Sequence, residues 1–381
     1  MMSYKAIGVV SPIIIYGLSD KLNMPENMTL PFKFMKQRSQ EEKIGLLMDS
    51  DRSNKVNDFL MTNGLKELML QYNPPSICQI PLVSILLGLS AESKHKTIEF
   101  SREYINCDVK GSYTIDYCEL KQAFTADLSQ INKVAKKKIM FVVPGVTGCS
   151  EEPYIKDLCG AALQNGYIPV VLNHCATKDE EMNQRVLDMG DSDHHHDTCM
   201  KAAISVSNPF DVIATTIRLK YKFFGIYDRA IREMLARPFL LKKFKLHQES
   251  FGEEWLKQAS KYKSLFEFDN HVRAKILGYN SIQSLYRNVS CDRFVSNINV
   301  PFLVLHSQDD PICPTTQIPY DDLLRNPNVM IIQTKIGGHC DFFNKIPGKF
   351  FKVYRFYPEI IMKYFADVQQ FQENQQSSKI I

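Results

Sequence analysis

The stretch PFLVLHSQDDPICPTTQIPYDDLLRNPNVMIIQTKIGGHCDFF, residues 301–343, reads as one strand–helix–strand unit. PFLVLHS and VMIIQT are short apolar runs of the kind buried on both faces of a sheet, and TTQIPYDDLLRN between them is helical in pattern. Asp309 and Asp310 close the first run, and His339 follows two glycines just past the second. Both ends therefore fall beyond the carboxyl end of a strand, the edge at which open α/β sheets bind ligands. A carboxylate there can hold an imidazole in one tautomer and stabilise its protonated form. A strand-end aspartate or a Gly-Gly-His is common punctuation when it stands alone. The two in this order, 29 residues apart, point to an acid–base pair.

Upstream, KKIMFVVPG (137–145), YIPVVLN (167–173) and KAAISVS (201–207) are further apolar runs, each a candidate buried strand. REYINCDVKGSYTIDY (102–117) has two β-type runs around a turn at DVKG, a hairpin signal. EPYIKDLCGAALQNG (152–166) predicts a helix with Tyr154, Leu158, Ala161 and Ala162 on one face and Gly166 as its stop. Strands alternating with helices predict an α/β fold, a mostly parallel sheet with helices on both faces. VVPGVTGCSEEPY (142–154) ends a strand and opens a helix, so amides near Val146 and Thr147 can face a developing oxyanion. A glycine-rich turn needed only for its geometry is the plainer reading. No G-K-[S/T] follows, which disfavours a phosphate loop.

The chain has 381 residues, 44% of them hydrophobic, enough for a full-sized core. A net charge of +4 gives no global polyanion signal. Ten cysteines at irregular spacings, with no C-x-x-C pair, read as reduced thiols and a cytoplasmic setting. AIGVVSPIIIYGL (6–18) is shorter than the ~20 residues that cross a bilayer and is broken by Pro12, so we expect a buried or interfacial segment there. Residues 1–99 form an N-terminal extension of mixed pattern, 100–370 the α/β domain, and 371–381 a polar, frayed tail.

The interval 209–290 is helical in pattern and strand-free, a cap of about 210–290 over the sheet. Between 218 and 245 it carries nine Lys or Arg against two acids, interleaved with Phe223, Phe224, Phe239 and Phe244. Solvated helix faces are the plain reading. The functional one is a cap that also meets an anionic membrane surface. No nucleic-acid motif accompanies the charge, and we expect no nucleic-acid partner.

REYINCDVKGSYTIDY, PGVTGCSEEPYI (144–155), SNPFD (207–211), GYNSIQSLY (278–286), SQDDPICP (307–314), NPNV (326–329) and GGHCDFF (337–343) run in one order along residues 100–345. On these pieces the chain resembles the AB hydrolase-4 branch of the α/β-hydrolase superfamily, serine carboxylesterases and lipid-ester hydrolases. The resemblance implies an α/β-hydrolase fold with a helical cap, a small-molecule or lipid ester as substrate and no cofactor. It implies a Ser-Asp-His relay with Asp310 as acid, Asp309 as the fallback acid and His339 as base. Val146 and Thr147 would form the oxyanion loop.

That family places its serine in a G-x-S-x-G elbow between a strand and a helix. No such pentapeptide occurs here, and the nucleophile is unassigned. GDSDH (190–194) is the nearest relic, with Ser192 as a degenerate candidate, while GCSEE and GLSAE fit less well. Only 27 residues separate Asn173 from Lys201. A helix, the elbow strand, a second helix and their loops need roughly 45 or more. We read a block removed just before HHHDTC (194–199), a skipped or mis-predicted exon rather than gradual loss. Metal ligation by DSDHHHD (191–197) is disfavoured, because adjacent histidines on a loop rarely converge on one ion. Two functions compete: an ester hydrolase, and an inactive remnant or lipid-binding pseudoenzyme. Removal of the elbow strand should let 202–206 pair directly with 139–143, or else leave 174–200 poorly ordered.

Overall fold

The computed structural model describes residues 44–47, 55–107, 111–119, 138–145, 148–173, 200–242, 252–348 and 352–378. Strand β1 (Ile44–Leu47) precedes three helices, α1 (Lys55–Thr62), α2 (Leu65–Leu70) and α3 (Pro81–Ser90). The expected hairpin follows as β2 (Glu99–Cys107) and β3 (Gly111–Glu119), antiparallel with Cys107 opposite Gly111. β4 (Lys138–Val142), α4 (Pro153–Gln164) and β5 (Tyr167–Asn173) make a parallel βαβ unit. Gly166 takes φ 76° just past α4, a left-handed turn that a side chain would resist.

Beyond β6 (Ala203–Val206) comes a strand-free run of described helices: α5 (Val212–Tyr221), α6 (Ile226–Lys242), α7 (Glu253–Ala259) and α8 (Ile282–Val289). β7 (Phe302–Ser307), α9 (Tyr320–Arg325) and β8 (Val329–Thr334) form the unit read from the opening stretch. β9 (Phe343–Lys345), β10 (Val353–Arg355) and α10 (Tyr357–Ser377) complete the chain. α10 carries the tail in helix to Ser377, where fraying was expected. Its buried residues run from Tyr357 to Val368 and anchor the polar end that follows.

Among the described residues the strands pair in two four-stranded sheets, in the orders β2-β3-β5-β4 and β1-β8-β7-β6, with β9 and β10 in a separate antiparallel pair. β4–β5, β6–β7 and β7–β8 are parallel, and β2–β3, β3–β5 and β1–β8 antiparallel. β4 and β6 are each the last strand of their sheet, so direct pairing of 202–206 with 139–143 does not occur. Two features account for the difference. Met140 and Val142 of β4 share one core with Leu303 and Leu305 of β7, and with Tyr357, Ile360 and Tyr364 of α10. Closing the sheet would drag these strands across that helix and open voids. The expected penalty for unpaired amides applies to buried groups. Ile139, Phe141 and Val143 are each more than half exposed, so water reaches this strand. The alternative expectation, for 174–200, falls almost wholly outside the described residues.

Residues 55–90, read as patternless, are helical and belong to the same core. Leu60, Leu65, Met69 and Tyr72 are buried in it, and α1 and α2 pack on α10. The opposite face of β7 and β8 has its own cover, Val304 and Ile331 packing with Phe210, Ile318 and Leu323.

Candidate functional site

Asp310 and His339 stand where the opening stretch puts them, in the loops after β7 and β8. His339 Nδ1 lies 3.0 Å from Asp310 Oδ2. Asp310 is buried, and its Oδ1 accepts the Ile312 and Cys313 N–H groups, both at 2.8 Å. With both oxygens engaged the carboxylate has one orientation. Nδ1 then carries the proton donated to Asp310, and Nε2 is left as the basic nitrogen. The His339 side chain is 28% exposed. Burial pushes its pKa down, but the Asp310 charge and hydrogen bond, with Asp341 adding, hold it above the usual histidine value.

Asp309 has a different task from the fallback acid it was read as. Its Oδ1 accepts the amides of Gly337 and Gly338 at 3.0 and 2.9 Å and also the Ser307 hydroxyl. It clamps the loop that presents His339 instead of touching the imidazole. Gly338 sits at φ 61°, with Ser84 Oγ 2.7 Å from where a β-carbon would be. At Gly337 the Phe342 ring and Ser307 approach to 2.9 Å. Both glycines are thus required by close approach, and Gly338 by its conformation as well.

Residues that sequence reading missed complete the clamp. Ser207, at φ 49° directly after β6, accepts the Cys340 amide at 3.2 Å. Tyr72 donates to the Ile336 carbonyl at 2.9 Å. Ser84 of α3 donates to Asp341 Oδ2 at 3.1 Å, and a side chain at Gly88 would collide with the other Asp341 oxygen. Burial, outweighing Ser84, His339 and Arg355, pushes Asp341 up to about 7. The visible signal was the Ser84–Gly88 spacing, small residues four apart on an apolar helix.

The turn after β4 is held from the first sheet. Ser150 N donates to Asn173 Oδ1 at 2.8 Å, and its hydroxyl bonds Asp116, which also takes Arg102 at 2.6 and 2.7 Å. Gly145 N donates to the Tyr154 hydroxyl at 3.2 Å, and a side chain at Gly148 would strike that same hydroxyl. Val146 and Thr147, the expected oxyanion amides, lie outside the described residues, as do Ser192 and the 191–197 run.

Asp310, Cys313 and His339 present three donor atoms within 4.8 Å of one another. Burial, with the Asp310 charge adding, holds the Cys313 thiol well above its usual range. Among the described residues no helix is long and apolar enough to cross a membrane.

No protein-family model matches the chain. It is 29% identical over 170 residues to the monoacylglycerol lipase of Saccharomyces cerevisiae, covering 44% of this chain and 36% of that protein. It is 24% identical over 297 residues to the phospholipase ABHD3 of Mus musculus, covering 65% of this chain and 68% of that protein. The match to the embryogenesis-associated protein EMB8 of Picea glauca spans 61% of that protein's length, and the match to a Dictyostelium discoideum abhydrolase domain-containing protein 55%, so the chain spans between about a third and two-thirds of these relatives. Among solved structures, an esterase of Pyrococcus furiosus aligns at 12% identity and a TM-score of 0.40, over 73% of this chain and 92% of that one. The names of these sequence relatives support assignment of the chain to the α/β-hydrolase superfamily.

Proposed function

We propose that this chain carries the acid–base half of a carboxylic ester hydrolase for lipid esters, and that the 381-residue form binds such esters without turning them over. The observation that carries the reading is the Asp310–His339 contact, 3.0 Å at the carboxyl ends of two adjacent strands. The names of the relatives, a monoacylglycerol lipase and a phospholipase, favour a glycerol ester or a phospholipid as the ester class. In a relay of this kind Nε2 of His339 takes the proton of the attacking hydroxyl and returns it to the leaving alkoxide. Asp310 stabilises the imidazolium in between. Amides of Val146 and Thr147 would hold the oxyanion.

What this chain lacks is the G-x-S-x-G serine and the amide after it. Loss of a serine nucleophile lowers kcat by about 10⁶ in a well-studied protease. Hydrolysis of p-nitrophenyl butyrate and of a monoacylglycerol should therefore be undetectable, while a fluorescent non-hydrolysable monoacyl ether should bind. Turnover lost on Ser192→Ala would overturn the reading. A transcript that codes for a G-x-S-x-G block between Asn173 and Thr198 should restore hydrolysis, and His339→Ala should then abolish it.

A further inference from the structure

The chain juts outward where α5 passes into α6. Ile217 and Tyr221 on the last turns of α5, Phe224 on the 3-10 turn Lys222–Gly225 and Ile226 at the start of α6 are each more than half exposed. Single exposed apolar residues are ordinary, but four within ten positions form a crest. Ile217 and Tyr221, four apart on α5, share one side of that helix. Leu219 and Tyr227 face the other way and are buried with Leu265, so this stretch is seated in the cap by one face only.

Phe224 adopts φ 56°, a left-handed conformation that a bulky residue rarely takes, and Gly225 follows at φ 71°. Strain of this kind persists where a binding site uses it. Here it turns an aromatic ring into solvent. Arg218, Lys220 and Arg229 are exposed around the crest, and Lys220 Nζ lies 5.8 Å from the Tyr221 ring and 5.9 Å from that of Phe266. The acids nearby are already engaged. Asp228 is buried and accepts the Leu265 amide, Glu233 pairs with Arg232, and Glu267 caps Ser264.

An aromatic and aliphatic crest ringed by lysine and arginine matches one partner chemistry. Apolar side chains reach the acyl boundary of a bilayer, and the cations sit among headgroup phosphates. The core of a protein–protein interface is instead depleted of lysine. We propose that the α5–α6 turn is a docking face for an anionic phospholipid bilayer. This goes beyond the ester reading, because docking requires no turnover. α5 starts beside Gln317, whose side chain accepts the Asp211 amide, and its ten residues carry the chain roughly 15 Å out to the crest.

The test is co-sedimentation of the full 381-residue chain with phosphatidylcholine vesicles, with and without phosphatidylserine, at low and raised salt. Binding should require phosphatidylserine and weaken as salt rises. Arg218→Gln with Lys220→Gln should reduce the partition coefficient about thirtyfold, at about fivefold per cation. Tyr221→Ser with Phe224→Ser should also release the protein, and circular dichroism melts of both variants should match the parent, since all four side chains are exposed. Failure of the parent chain to bind, equal binding to neutral vesicles, or loss of binding with Phe141→Ser instead would each overturn the proposal. So would release caused only by variants that also shift the melt.

Discussion

β4 and β7 are both short apolar strands with one face in the same core, yet Phe141 of β4 is 54% exposed whereas Leu303 of β7 is fully buried. β7 has a hydrogen-bonded neighbour on each side, and its second face is covered by Phe210, Ile318 and Leu323. Among the described residues β4 has a neighbour on one side only. The acid–base pair grows from the covered half, out of loops that close on their own strands. The nucleophile would come from the seam between the halves. The comparison teaches that an acid–base pair and a nucleophile can be separable in folding terms, because each is built by a different strand edge.

The largest effect expected from that contrast is on stability. Leu303→Ala should cost about 2–5 kcal/mol in urea unfolding, whereas Phe141→Ser should stay within about 0.5 kcal/mol and reduce self-association. Equal costs at the two sites would mean that β4 is covered in solution, and the contrast would fail. With an uncovered sheet face, the parent chain should be marginal and prone to association. A soluble monomer with a sharp melt above ~60 °C would argue for an evolved, self-sufficient variant.

Next in size is the division of labour between the two aspartates. Asp309→Ala leaves the Gly337 and Gly338 amides without their acceptor and should cost about 1–3 kcal/mol. Asp310→Asn should leave the loop in place but lower the pKa of His339, since burial remains and the charge is gone. An NMR titration of the imidazole reads this directly. The sign also appears in stability. A histidine raised on folding stabilises fully below its unfolded pKa, and that contribution is lost as pH rises through the folded value. Asp310→Asn should remove this pH dependence.

Much of this was legible in the chain. Buried strands announce themselves as apolar runs, and Asp310 and His339 stand out because strand ends and glycine turns fix where they point. Asp309 was kept as a fallback acid, because sequence order cannot tell a carboxylate that faces an imidazole from its neighbour facing two amides. Ser207 was missed for a related reason: it acts through one long-range hydrogen bond that leaves no periodic trace, and Ser84 left only its four-residue spacing from Gly88. The direct pairing of 202–206 with 139–143 was expected but is not found, because how these strands sit is set by helices far away in sequence. The polar end of α10 was read as frayed because composition, not its anchored first half, was weighed.

A separate effect concerns Asp341, whose carboxyl is pushed up to about 7 by burial. The folded state binds its proton over a range where the unfolded chain has released it, so stability falls as pH rises from about 4 to about 7. Asp341→Asn should flatten that part of the curve. An unchanged slope would mean that another group carries it.

The central claim, a relay without its nucleophile, is tested most directly by mass spectrometry of the intact 381-residue chain after exposure to a fluorophosphonate ester. An activated serine would displace fluoride and gain the phosphonyl group, whereas a chain with only Asp310 and His339 in place should keep its mass. A stoichiometric adduct mapped to Ser192 or Ser207, and lost on His339→Ala, would contradict the account.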